Sequence, residues 1–240
     1  MHTDIYSIKS KNDKALSSNN HIVKKIINRL TVENNNEILY ISQYRPPVIS
    51  NGVPGMPIGN RHINWDDFYS IEPILLSRLS ELCELNGYTL SICGNSFNQE
   101  QQEEKYYKSF LGNNGWVYKE KTNYSSSYEK LDSPAIIASI DSTLGLEALG
   151  RGCKSMTFTG RGKITKTKDG NFGLLSDLPN QGYFWTSEIN ISEIDRIFYN
   201  MISCNDDIWQ DFYTDIIPLM MEYDEGNSSL VHLIKKQLSD

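Results

Sequence analysis

A short stretch in the middle of the chain combines hydroxyl, glycine and carboxylate residues at a spacing that suits anion binding. Ser142 and Thr143 open a segment with helical spacing directly after an apolar run. Free backbone N–H groups and the positive end of a helix dipole would lie there, and both favour phosphate. Gly145 falls in the first turn, where it costs about 1 kcal/mol relative to Ala, and it would let a ligand approach the backbone. Glu147, about one turn further in, could reach ribose hydroxyls.

The elements around this stretch predict its place in the fold. Residues 135–140 form a short apolar run, typical of a strand buried on both faces. Residues 144–149 are predicted to form a helix, which Gly150 and Gly152 end. A strand, a polar cap and a helix also occur without any ligand, and we interpret Asp141 as such a cap. The alternatives at this point are an anion site and an ordinary strand-to-helix connection.

Two loops carry further candidate residues. Residues 43–64 are predicted to form a long, proline-rich loop after the first strand, with Arg45 and His62 among its polar residues. His62 is the candidate catalytic base or phosphate contact, although a loop histidine is more often only solvated. Residues 160–173 form a basic, glycine-rich loop that contains Arg161 and Lys163. This loop is either a solvated surface segment or a mobile flap that closes over an anionic ligand.

The order of predicted elements indicates an α/β fold. From residue 38 onward, strands alternate with helices, which implies parallel strands, right-handed crossovers and helices on both faces. We expect a Rossmann-like, doubly wound parallel sheet over residues 37–240, which ends in three helices. Residues 1–36 are expected to be a polar lead-in followed by an amphipathic helix at 21–30. The predicted strands are 38–42, 88–93, 116–119, 135–140, 154–159 and 182–186, and the main predicted helices are 65–85, 99–111, 125–132, 144–149, 191–202, 206–221 and 227–238.

Composition narrows the function classes. The chain has 240 residues and a net charge of −7, which argues against a nucleic-acid partner. Its four cysteines are widely spaced and form no metal-ligand group with histidine, so reduced thiols and no bound metal are expected. No apolar run is long enough to span a membrane, and the first residues lack a signal core. We expect a cytoplasmic protein, with peripheral association at the inner face of a membrane left open.

The segment at residues 141–158, DSTLGLEALGRGCKSMTF, resembles the nucleotide-sugar-binding motif of GT-B glycosyltransferases and of UDP-N-acetylglucosamine 2-epimerases. More narrowly, ILYISQYR, DSTLGLEALGRG and YDEGNSSLVHLIKKQL resemble the C-terminal half of surface-polysaccharide glycosyltransferases, a group that includes Kdo-transferase-like and sialyltransferase-like enzymes. The resemblance covers roughly residues 37–238. It implies a nucleotide-sugar donor, a glycan or lipid-linked acceptor, and neither a metal nor another cofactor.

The resemblance also implies roles for matching residues. Donor phosphate would be held at the start of the central helix, ribose within that helix, and the base or phosphate at the turn after the second strand. Arginine after the first strand would offset phosphate charge as a planar, permanently charged donor. The residues concerned are Ser142 and Thr143 for phosphate, Gly145 for close approach to the nucleotide, Glu147 for ribose, Gly94 and Asn95 at the turn, and Arg45 for charge.

The sequence departs from the family pattern in two respects. Many CMP-sugar enzymes carry a His-Pro pair after the second strand, whereas this chain has CGNSFNQEQ there. GT-B enzymes also have two Rossmann-like halves, and this sequence contains one. Three functions therefore stay open. They are a transferase domain, a non-catalytic module that docks a partner subunit or the missing N-terminal half, and an enzyme that epimerises or hydrolyses UDP-sugars.

Overall fold

The structure is a computed structural model that describes residues 5–8, 35–95, 100–123, 126–131, 134–166, 179–224 and 228–239. Its strands are β1 (Ile5–Ile8), β2 (Asn35–Ile41), β3 (Val48–Ser50), β4 (Val53–Ile58), β5 (Arg61–Asn64), β6 (Thr89–Cys93), β7 (Trp116–Lys119), β8 (Pro134–Ser139), β9 (Ser155–Phe158), β10 (Trp185–Thr186) and β11 (Met221–Asp224). Its helices are α1 (Trp65–Tyr69), α2 (Ile71–Asn86), α3 (Glu100–Leu111), α4 (Ser126–Glu129), α5 (Thr143–Gly150), α6 (Arg161–Thr165), α7 (Ile191–Ser203), α8 (Asp206–Met220) and α9 (Ser228–Ser239).

Six parallel strands form the central sheet, in the order β10-β9-β8-β2-β6-β7. The chain enters at β2, winds outward through β6 and β7, and then returns to wind outward on the other side through β8, β9 and β10. This order is that of doubly wound nucleotide-binding folds, and it reverses between β2 and β8. The predicted α/β, doubly wound parallel sheet is confirmed.

The sheet is buried on both faces because its central strand supplies two hydrophobic cores. Ile38 and Tyr40 of β2 belong to the core that contains residues of α2 and α7. Leu39 and Ile41, which point the opposite way, pack in a second core with Ala148 of α5. Successive side chains of a strand face opposite sides, so an uninterrupted apolar strand requires cover on both.

The prediction of a long loop at residues 43–64 is wrong over most of its length. Residues 48–64 form a three-stranded antiparallel sheet in the order β3-β4-β5. Asn51 and Gly52 connect the first two strands with positive φ angles of 51° and 76°. Two such residues form the tight hairpin turn whose twist matches that of the strands. The prolines and glycines of this segment therefore shape a small sheet beside the main one.

The predicted helix at residues 65–85 is present as two helices, α1 and α2. Asn64 caps the first by accepting a hydrogen bond from the backbone N–H of Asp66 at 2.8 Å. The second helix begins at Ile71, and Pro73 lies in its first turn, where a proline is tolerated. Gly87 ends α2 with a left-handed φ of 72°.

The two ends of the chain differ from the sequence expectation. Residues 5–8, which were assigned to a polar lead-in, form β1, which pairs antiparallel with β11. The helix predicted at 206–221 was expected to include Met221, but residues 221–224 form β11. The helix predicted at 21–30 lies outside the described residues, and the domain boundary at 36/37 stays a prediction. No helix in the described part of the chain combines the length and apolar character that a membrane span requires.

Candidate functional site

A cavity of about 390 Å³ opens at the carboxyl ends of β2 and β8. Its position is the point where the strand order reverses, which is where doubly wound folds bind ligands. Its volume lies in the range of small-molecule sites. The main sheet, the small sheet and the helices beside them all contribute to its lining. The lining residues are Ser42, Gln43, Arg45, Met56, Pro57, Ile58, Phe68, Tyr69, Asn95, Asp141, Ser142, Thr143, Arg161 and Thr165.

The start of α5 faces this cavity with unused hydrogen-bonding groups. Ser142 is the N-cap residue, yet its side chain makes no capping hydrogen bond, and the residue is only 6% exposed. The first helical bond runs from the backbone N–H of Leu146 to Ser142 O at 3.1 Å. The N–H groups before Leu146 therefore have no acceptor within the helix. A hydroxyl and the first-turn N–H groups, including that of Thr143, remain for an anionic ligand.

Arg161 forms a fixed polar wall of the cavity. Its guanidinium donates to Asp141 Oδ1 at 2.5 Å, to Gln43 Oε1 at 2.8 Å and to Glu72 Oε1 at 3.3 Å. The residue is 2% exposed, and its guanidinium lies 4.4 Å from the centre of the Phe68 ring. The basic loop predicted at residues 160–173, whether as a solvated segment or as a mobile flap, is therefore wrong at Arg161, because α6 directs this side chain toward two buried carboxylates. The cap role expected for Asp141 is also wrong, since Ser142 is the N-cap and Asp141 pairs with Arg161.

The electrostatics of this wall follow from one cation held between two carboxylates. Burial raises the pKa of Glu72 to about 6, although Arg161 opposes the shift. Burial likewise raises the pKa of Asp141 against the opposing charge of Arg161. For Arg161, burial would lower the pKa, but the two carboxylates keep it above its ordinary value. The charge of Arg161 is therefore largely balanced within the protein.

Arg45 supplies the cavity with an exposed positive charge. Its backbone is held on both sides: its N–H donates to the Tyr69 hydroxyl at 2.9 Å, and its carbonyl accepts from Trp65 Nε1 at 2.9 Å. The side chain is thus carried on a fixed backbone while its guanidinium stays accessible. Unlike Arg161, this arginine is available to offset the charge of a phosphate.

Glu103 organises the loops beneath the cavity, and the sequence analysis missed it. This fully buried carboxylate accepts hydrogen bonds from the Ser42 hydroxyl, from the backbone N–H of Asn95 at 3.0 Å and from the Tyr118 hydroxyl at 3.0 Å. It therefore joins the loop after β2 to the loop after β6. A signal was present, because Glu103 lies four residues before the inward-facing Tyr107, on the apolar face of α3.

Five predicted site residues lie outside the cavity lining: Gly145, which packs against β8, and four others. His62 is exposed on β5, with its Nε2 3.2 Å from Val48 O, and it lines a separate shallow hollow with Arg61. Glu147 interacts with the Tyr128 hydroxyl, whose pKa is raised by burial and by this carboxylate. The remaining two are Gly94, which lies against the Tyr118 ring, and Lys163, whose ammonium pairs with Glu188.

Gly145 permits a close approach, but the group that approaches it is protein. A Cβ atom added at this position would lie 2.6 Å from Ser139 Cβ and still closer to the Ser139 hydroxyl. Real Cβ contacts are essentially never this short, so the glycine allows α5 to lie directly against β8. The third glycine of dinucleotide-binding turns has the same packing role. The predicted contact with a nucleotide is not needed to explain this glycine.

The fold and the cavity define a doubly wound α/β protein with a cavity at the reversal of its strand order. A family model described as "putative O-antigen biosynthesis protein" matches residues 3–238, and the chain belongs to this family. This match supports the predicted link to surface-polysaccharide synthesis, but it does not extend to the narrower Kdo-transferase-like resemblance. Among curated proteins, none matches the chain significantly.

Two solved structures are similar to the chain at low sequence identity. The first is UDP-GlcNAc 2-epimerase from Neisseria meningitidis bound to UDP-GlcNAc, with 16% identity, a TM-score of 0.47, and coverage of 92% of this chain and 48% of that chain. The second is a "putative UDP-N-acetylglucosamine 2-epimerase" from Listeria monocytogenes, with 10% identity, a TM-score of 0.45, and coverage of 86% and 44%. The chain spans about half the length of these two structures.

Proposed function

We propose that the cavity binds a nucleotide-activated sugar and that the chain is the donor-binding domain of a GT-B-type glycosyltransferase in surface-polysaccharide synthesis. The observation that carries this proposal is the start of α5. An unused Ser142 hydroxyl and free first-turn N–H groups face a small-molecule cavity at the strand-order reversal. The membership in an O-antigen biosynthesis family supports the same class of substrate.

The donor phosphate would lie between the start of α5 and Arg45. Ser142 and Thr143 would donate hydrogen bonds, and the exposed guanidinium of Arg45 would offset the negative charge. Asn95 uses its Nδ2 to donate to Tyr44 O at 3.2 Å, which leaves its Oδ1 as an acceptor for the nucleotide. These groups would stabilise a departing phosphate without a metal ion.

A second candidate function, a non-catalytic donor-binding module, is favoured by the state of Asp141. Among the described residues that line the cavity, Asp141 supplies the carboxylate, and it is held by Arg161. A general base must reach the proton that it removes, and His62 lies outside the cavity lining. A base for a glycan or lipid-linked acceptor would then come from a partner subunit or an N-terminal transferase half.

Calorimetric titration tests the proposed donor site. The full chain would be titrated with CMP, UDP and GDP and with their sugar derivatives, and we expect one nucleotide series to bind. Ser142→Ala and Arg45→Gln should each weaken that binding about 10- to 100-fold, the loss expected for one hydrogen bond to a charged group. Ser50→Ala and Arg61→Gln are matched controls outside the cavity lining and should bind as wild type. The proposal fails if no nucleotide or nucleotide sugar binds at millimolar concentration.

Turnover separates the candidate functions. Conversion of a UDP-sugar in the absence of any acceptor would indicate the epimerase or hydrolase alternative. Binding without turnover, followed by transfer when a partner subunit and an acceptor are added, would support the donor-binding domain. Binding that never leads to transfer with any candidate partner would favour the non-catalytic module.

A further inference from the structure

Arg161 holds two side chains of the cavity lining through a single nitrogen atom. Its Nη1 donates to Asp141 Oδ1 at 2.5 Å and to Gln43 Oε1 at 2.8 Å. The arginine is itself fixed, because it is 2% exposed and its Nη2 donates to the buried Glu72. Asp141 and Gln43 follow β8 and β2, the two strands between which the strand order reverses. One guanidinium therefore fixes the ends of both strand-to-helix connections side by side.

Asp141 keeps one carboxylate oxygen that Arg161 does not use. The carboxylate accepts through Oδ1, and its Oδ2 has no hydrogen-bond partner among the described residues. Oδ2 does not belong to the fully buried atoms that lack a partner, and Asp141 lines the cavity. This oxygen is therefore open to the cavity as a hydrogen-bond acceptor.

Gln43 keeps a donor in the same way. A guanidinium only donates hydrogen bonds, so the amide oxygen of Gln43 must face Arg161, and the amide nitrogen lies on the other side of the group. Within the described part of the chain, this Nε2 has no acceptor, and Gln43 also lines the cavity. The two side chains thus present one acceptor and one donor, both oriented by the same buried cation.

We propose that Asp141 and Gln43 together bind a ring hydroxyl of the nucleotide sugar. This inference rests on the proposed function, since the phosphate site begins at the next residue, Ser142. A hydroxyl can donate one hydrogen bond and accept another. Here it would donate to Asp141 Oδ2 and accept from Gln43 Nε2. An ammonium group could only donate, and a carboxylate of the ligand could only accept and would be repelled by Asp141.

The charges of the lining favour an uncharged group at this pair. Arg45, Asp141 and Arg161 are the ionised side chains among the described lining residues. Arg161 is opposed by Asp141 and by Glu72, so Arg45 supplies the positive charge that a phosphate would meet. A second anionic group beside Asp141 would gain no further cation from these residues. The phosphate is therefore expected at Arg45 and a hydroxyl-bearing ring at the pair.

Isosteric swaps test the pair in the calorimetric titration of the full chain. Asp141→Asn replaces the accepting oxygen by a donating NH2 group, and Gln43→Glu replaces the donating NH2 group by an accepting oxygen. Each variant keeps an oxygen for the contact with Arg161, so the fold should be retained, which urea unfolding verifies. We expect each swap to weaken the binding of the nucleotide sugar by about tenfold or more.

The double variant Asp141→Asn/Gln43→Glu restores both the net charge and the pairing. It again presents one donor and one acceptor, in exchanged positions, and a hydroxyl fits either arrangement. We expect it to bind the nucleotide sugar more tightly than either single variant. Asp207→Asn and Gln102→Glu make the same chemical changes at exposed positions outside the cavity lining and should bind as wild type.

Titration with the free nucleotide distinguishes the two sources of a ring hydroxyl. If the swaps weaken only the nucleotide sugar, the hydroxyl belongs to the transferred sugar. If they weaken the free nucleotide to the same extent, it belongs to the ribose. Both results support the assignment of the pair, and they decide which ring it recognises.

Three results would overturn the assignment, and they can be told apart from the wild-type titration. The pair is refuted if the wild type binds a nucleotide sugar and both single variants bind it equally well. It is also refuted if the double variant recovers none of the lost binding, because the losses would then come from a disturbed Arg161. If the wild type binds no nucleotide sugar, the proposed function fails and this assignment fails with it.

Discussion

Replacing Gly145 with alanine should have two opposite effects on the free energy of unfolding. Alanine is the better helix former by about 1 kcal/mol, which would stabilise α5. The new methyl group would lie 2.6 Å from Ser139 Cβ, and both residues are buried. Inserting a group into a well-packed core costs about 1–3 kcal/mol or more. A Cβ atom is fixed to the backbone of its strand, so we place the cost of this clash at the upper end of that range. After the gain in helix propensity is subtracted, we expect a net loss in the free energy of unfolding of about 2 kcal/mol.

Urea unfolding, followed by circular dichroism, measures this loss. The double variant Gly145→Ala/Ser139→Gly should recover part of the lost stability, because it removes the atoms that clash with the new methyl group. Ser139→Gly alone is the control for glycine in a strand. The packing explanation is refuted if Gly145→Ala is as stable as the wild type or more stable. Unchanged stability with weaker nucleotide binding would restore the role in ligand approach that the sequence pattern suggested.

Three further substitutions test the polar groups around the cavity. Arg161→Met should lower the free energy of unfolding by about 3–5 kcal/mol in urea titrations, because it leaves Asp141 and Glu72 buried without their cation; wild-type stability would contradict this. The folded-state pKa of Glu72, about 6, exceeds its ordinary value of 4.5. The stability that this carboxyl contributes is therefore present below pH 4.5 and lost as the pH rises to 6, a change of about 2 kcal/mol. Glu72→Gln should lack this change in urea titrations across that pH range, and an unaltered pH dependence would contradict it. Glu103→Leu should cost about 3–5 kcal/mol and speed amide exchange at Asn95, whereas Glu104→Leu on the exposed side of α3 should do neither.

Local patterns were sufficient for the main sheet. The apolar runs at β2 and β8 are buried on both faces, so their composition alone indicated parallel strands in the interior. The cap at Asn64 and the stop at Gly87 depend on neighbouring residues and were also predictable. The small sheet was missed because its prolines suggested a loop. The pair Asn51-Gly52, a strong hairpin signal, was sufficient to indicate β3 and β4.

The site was predictable where it depends on strand ends and unpredictable where it depends on distant partners. Ser142, Thr143, Arg45 and Asn95 meet because the carboxyl ends of parallel strands share one edge of the sheet. Arg161 pairs with Glu72, which lies 89 positions away in the sequence. Glu103 and Ser42 are separated by 61 positions. Residues so far apart in the sequence form no local pattern that predicts their contact. The two buried polar clusters could therefore be identified only from the folded structure.

The central position of β2 also has a consequence for the order of folding. Ile38 pairs with Leu90 of β6 on one side and with Ile136 of β8 on the other, much farther along the chain. Loop closure costs more entropy for the more distant partner, and such pairings form slowly. We expect the β2-β6-β7 half to gain amide protection first in pulsed hydrogen exchange, and the β8-β9-β10 half to dock on it later. The cavity then lies at the interface between the two halves, which forms last. A ligand bound across this interface would slow the first separation of the halves during unfolding.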